Sequence, residues 1–97
     1  MENKYIFETL VKNLHEEACS LVPNSIENLY LTSFKLNNMQ TIEGYMAAAE
    51  EIERIGKTNE FLEEVAKWSK GRAVNPMIMT DISDDGLIDV NLSFTVK

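Results

Sequence analysis

Little in this chain offers the chemistry that usually marks a site. It has one cysteine, Cys19, and one histidine, His15, among 97 residues. A single cysteine forms no internal disulfide, so the fold must hold by packing, and a reducing compartment is expected. Its four glycines are scattered and form no Gly-rich phosphate-binding loop, and no internal repeat or low-complexity tract occurs. No G-x-S-x-G elbow and no Cys-x-x-Cys pair occurs. No apolar run approaches the ~20 residues of a membrane-spanning helix. Met1–Tyr5 lacks a basic segment leading into an apolar run, so a cytoplasmic location is expected.

Positive charge is also scarce. Nine bases face 16 acids, for a net charge of −7. That balance argues against direct binding to nucleic acid or to an anionic membrane, both of which favour a basic surface. The excess is uneven: five acids and three bases lie in residues 1 to 37, against eleven and six in residues 38 to 97. What is present is a globular composition, 44% apolar and 26% charged, sized for a single domain over 1–97.

Apolar spacing predicts helices. Residues 5 to 22 place Phe7, Leu10, Val11, Leu14, Ala18 and Leu21 on one stripe, closed by Pro23. Residues 25 to 37 read as a second helix, with Ser25 as cap and Ile26, Leu29, Tyr30, Ser33 and Phe34 on its face. The same run is rich in strand-forming residues, and a strand over 29 to 36 is the alternative. Asn37-Asn38 closes the segment in either case. Residues 41 to 56 form a helix capped by Thr41 and stopped at Gly56, with Ile42, Tyr45, Met46, Ala49 and Ile52 on its stripe. Residues 58 to 70 form the last, capped by Thr58 or Asn59 and stopped at Gly71. Acids lie at its start and bases at its end, and Trp68 is expected half-buried.

The closing segment invites two readings. Counted from Asp81, residues Asp81, Ser83, Asp85, Gly86, Ile88 and Asp89 follow EF-hand calcium-loop spacing. The twelfth position, which needs a bidentate glutamate, is Leu92, and Pro76 blocks a helix upstream. Downstream, Ile88, Val90, Leu92, Phe94 and Val96 alternate with polar residues, the period of a strand with one buried face. The expectation is a β-hairpin over about 76–96. A three-residue loop Asp84-Asp85-Gly86 puts Ile82 opposite Ile88, Thr80 opposite Val90 and Ile78 opposite Leu92. No metal site and no cofactor is expected.

The fold class expected is α+β: three or four helices on a small antiparallel sheet built around that hairpin. Two strands alone are marginal, so either residues 29 to 36 add a third or the hairpin edge pairs with a second copy in a homodimer.

No catalytic residues emerge. His15 and Cys19 sit four apart, which on a helix places them on one flank, but a semi-buried histidine and a buried cysteine are the expected outcome. Glu50-Glu51 and Glu63-Glu64 are adjacent on their helices and so diverge by about 100°, which forms no carboxylate dyad. The candidate partner-binding residues are acidic: Glu43, Glu50, Glu51, Glu53, Glu60, Glu63 and Glu64 on the two helices, and Asp81, Asp84, Asp85 and Asp89 at the hairpin. They point to a small non-enzymatic interaction protein, a regulator or inhibitor that binds another protein with a basic surface. One narrower alternative is an acidic DNA-mimic decoy of a nucleic-acid-binding protein, of the kind viruses of bacteria direct at host defences. The other is a small-ligand-binding protein.

Overall fold

A computed structural model describes residues 3–35 and 41–97. Among the described residues there are three helices and three strands: α1 (Asn3–Glu16), β1 (Ile26–Lys35), α2 (Ile42–Ile55), α3 (Asn59–Ser69), β2 (Ala73–Ile82) and β3 (Leu87–Val96). The strands form one antiparallel sheet in the order β1-β3-β2. The class is α+β, as the patterning predicts. No helix among the described residues is long and apolar enough to cross a membrane.

The last strand is the centre of the sheet. Its alternation places Ile88, Val90, Leu92, Phe94 and Val96 on the face that the helices cover, each at most 3% exposed. Full burial of an apolar side chain of this size contributes about 1.5–3 kcal/mol, so these five form much of the hydrophobic core. The hairpin register is the expected one: Ile82 faces Ile88, Thr80 faces Val90 and Ile78 faces Leu92. At the tip, the Ser83 amide donates to the Leu87 carbonyl at 2.8 Å and the Gly86 amide to the Ser83 carbonyl at 3.1 Å. Gly86 takes φ 76°, the left-handed conformation a three-residue loop requires. Strands flank this loop, where a calcium loop of the EF-hand type needs helices.

Residues 26–35 are a strand, which corrects the favoured helical reading. The reason is a bulge. Pairing with β3 shifts between Tyr30 and Thr32, so Leu31 is the extra residue. Leu29, Leu31 and Phe34 all turn towards the core, Leu31 and Phe34 buried in it. The extra residue breaks the period of two and leaves Leu29-Tyr30 and Ser33-Phe34 four apart, a helical spacing. Ser25 caps no helix; its hydroxyl donates to the Val22 carbonyl at 2.6 Å and closes the turn before the strand. The Asn37-Asn38 stop lies outside the described residues. With β1 in place the sheet has its third strand from within the chain.

Helix α1 ends at Glu16, short of the predicted 22. The Trp68 indole N–H takes the Glu17 carbonyl at 3.1 Å, and Ala18–Val22 run on without helix while Leu21 still packs against the core. Trp68 is buried rather than half-buried, its ring edge-on to Phe94 at 5.6 Å between centroids.

Helices α2 and α3 carry the predicted caps. Thr41 Oγ1 accepts from the Gly44 amide, and Thr58 Oγ1 from the Phe61 amide. α2 turns a narrower stripe inward than expected: Ala49, Ile52 and Ile55 are buried, whereas Ile42 and Met46 are exposed. Gly56 follows α2 with φ −64°, and a side chain there would meet Ile78 Cγ1 at 2.2 Å. Its role is therefore space between α2 and β2, not a left-handed turn. The buried Ser69 Oγ accepts from the Ala73 amide at 3.1 Å, tying the end of α3 to the start of β2.

Candidate functional site

The eleven acidic residues do not form one array. Glu51 bonds Arg54 one turn along α2, Arg54 Nε donating at 3.1 Å. That guanidinium holds the Glu51 carboxyl below the usual glutamate range, and the carboxylate holds Arg54 above its own. Glu64 Oε2 lies 3.1 Å from His15 Nε2 on α1, and Lys67 Nζ lies 3.6 Å from Glu64 Oε1. The His15 hydrogen bond, with Lys67 adding its charge, lowers the Glu64 carboxyl as well. Glu53 accepts from the Thr80 hydroxyl, and Asp89 from the Ser33 hydroxyl at 2.5 Å. Glu43, Glu60 and Glu63 are exposed on α2 and α3, and Asp84 and Asp85 are exposed at the hairpin tip.

Two of the acids, Glu50 and Glu53, do converge, and Asp81 borders them from the strand. α2 lies over β2, with Gly56 against Ile78, Glu53 bonded to Thr80 and Tyr45 near Gly86. Helix and strand therefore run in opposite directions along one another. Between them is a groove of about 340 Å³ lined by Met46, Ala49, Glu50, Glu53, Thr80, Asp81 and Ile82. Its apolar residues are accessible: Met46 is 53% and Ile82 38% exposed. Among the described residues, neither Glu50 nor Asp81 has a side-chain partner within the chain.

The groove follows from local sequence. Thr80 and Ile82 share the helix-facing side of β2 with Ile78, while Asp81 falls on the opposite side, across from Asp89. Met46 and Glu50 are four apart on α2 and so lie one above the other. The apolar period of α2 reaches its accessible flank at Met46, which the stripe assigned to the core.

Two further features have no counterpart in the sequence reading. The sheet face away from the helices carries Tyr30, Met77 and Met79, about half exposed, around polar Asp89, Asn91 and Ser93. There the Tyr30 hydroxyl meets Ser33 Oγ at 2.6 Å and Ser33 continues to Asp89. A helical reading of 25 to 37 hides that relay, because Ser33 meets Asp89 only through β1–β3 pairing. A second pocket, about 270 Å³, lies where Phe7 of α1 approaches Ile55, with Lys4, Arg54 and Glu60 at its rim. Cys19 is exposed in the segment after α1, which corrects the expected buried position and removes the shared helical flank with His15.

Compared with known proteins, the chain matches no family model, no curated protein and no solved structure.

Proposed function

We propose that this chain acts by binding another protein, as a regulator or inhibitor, and that the α2–β2 groove is where a basic surface of that protein docks. The observation that carries the reading is the groove itself. It combines accessible methionine and isoleucine with the carboxylates of Glu50 and Glu53, and Asp81 adds its charge on the far face of the same strand. Apolar anchors ringed by charge are the usual anatomy of a protein interface. The net charge of −7 adds a long-range field that speeds encounter with a basic partner and repels acidic ones. The decoy version needs a continuous run of free carboxylates, and Glu51 and Glu64 are instead engaged inside the chain. The broader reading is therefore preferred.

The test is capture from the native host with immobilised wild-type chain and with the double variant Glu50→Lys/Glu53→Lys. The expected result is a partner retained by wild type at about 0.05 M salt, weakened at about 0.3 M as the Debye length contracts, and absent from the variant. A partner held equally by both chains would refute the assignment of the groove.

A further inference from the structure

We infer that the groove accepts its partner as a strand: an extended basic segment of another protein adds to the outer edge of β2 as the fourth strand of the sheet. This deepens the protein-binding reading above and rests on it.

β2 is an edge strand, paired with β3 on one side only. The Ser83–Leu87 hydrogen bond fixes which residues point inward. In an antiparallel ladder, paired and unpaired positions alternate. Asp81 and Met79 therefore bond β3, while Ile78, Thr80 and Ile82 turn their N–H and C=O groups to the outer edge. No described residue pairs with them there. Edge strands are normally blunted by proline, bulges or lysine. β2 has proline and a bulge only in its first half, where the register shifts between Val74 and Met77 around Pro76; its second half holds one charge, Asp81, which deters an acidic strand but not a basic one. The half from Met77 to Ile82 carries no proline, bulge or base, and it borders the groove.

An added strand would send alternate side chains to the two faces of the sheet. On the helix side they meet Met46, Glu50 and Glu53; on the other side they meet Asp81. Both faces therefore favour lysine or arginine, with an apolar residue seated on Met46 and Ile82. A second copy of the chain is the wrong occupant, since its edge would set these acids against their own kind.

The experiment uses the full, isotopically labelled chain and two short synthetic peptides, one alternating lysine and valine, the other glutamate and valine. Amide hydrogen exchange is read at Thr80 and Ile82. The lysine peptide is expected to slow both by about tenfold or more, and the glutamate peptide to slow neither. Thr80→Pro removes an outward N–H without touching the β3 ladder, and should abolish the effect at Ile82. In case that variant does not fold, Glu50→Lys/Asp81→Lys should weaken the lysine peptide by about tenfold. Binding that shifts Glu60 and Glu63 on α3 but leaves Thr80 and Ile82 exchange unchanged overturns the strand-addition inference while the protein-binding reading stands. Absence of binding overturns the inference. So does protection of Thr80 and Ile82 in a concentration-dependent dimer without peptide, which would make a second copy the occupant.

Discussion

Gly56→Ala should measure how tightly α2 is set against β2. A Cβ at this position would lie 2.2 Å from Ile78 Cγ1 and 2.7 Å from Ile78 Cβ. Carbon atoms rest about 3.5–4.0 Å apart, so more than about 1 Å of relief is needed at the first contact. A rotamer change in Ile78 moves Cγ1 but not Cβ, so the helix and strand must also separate. Overpacking of this kind costs about 1–3 kcal/mol. Gly56 has φ −64°, so alanine carries no backbone strain there and recovers up to ~1 kcal/mol by stiffening the unfolded chain. The net expectation is a loss of about 1–2 kcal/mol, or a fall in Tm of roughly 4–8 °C per kcal/mol in a domain of this size. Urea unfolding followed by circular dichroism and Trp68 fluorescence gives the number. Ile78→Ala alone should cost about 2–5 kcal/mol. In the double variant the new methyl partly fills the space left by Ile78, so the combined loss should fall short of the sum by ~1 kcal/mol or more. A neutral Gly56→Ala, or strictly additive losses, would refute the packing argument.

Leu92→Glu supplies the glutamate that the EF-hand spacing lacks, yet it should unfold the chain rather than create a calcium site. Leu92 is fully buried at the centre of the sheet, and an unpaired carboxylate there costs several kcal/mol. Millimolar calcium should neither rescue this variant nor raise the Tm of the wild type; a saturable rise of several degrees in either would contradict the hairpin account. Thr58→Ala removes the hydroxyl that accepts from the Phe61 amide and donates to the Ile55 carbonyl at 2.7 Å, and should cost about 1 kcal/mol in urea unfolding. The lowered Glu51 and Glu64 carboxyls stabilise the fold above the ordinary glutamate value of 4.5, and that contribution is lost as pH falls through their folded values. Glu64→Gln should accordingly flatten the acid limb of a Tm-against-pH curve; an unchanged limb would show that the His15 contact does not act on stability.

The parts of the fold legible in the sequence are those where one period dominates. The β3 alternation has a single buried face, so both the strand and its register with β2 follow from Leu92 and Gly86. Helices α2 and α3 follow from their threonine caps and apolar stripes. β1 was obscured by its own bulge, since Leu29, Leu31 and Phe34 are spaced as neither strand nor helix. The end of α1 depends on Trp68 reaching the Glu17 carbonyl from 51 residues away, which no local pattern encodes. The acidic character of the site was readable, but its shape was not. Glu50 and Glu53 reach the edge of β2 at Thr80 only once α2 lies across it, and Met46 looks like a core residue until the helix is docked.

The most direct test of the account is the footprint of a captured partner on the labelled chain, read as amide signal changes along the sequence. Binding at the α2–β2 groove predicts changes concentrated at Met46, Glu50, Glu53, Thr80 and Ile82, with Tyr30 and Asn91 on the far sheet face unmoved. A footprint centred on Tyr30, Met77 and Asn91, with the groove untouched, would contradict it.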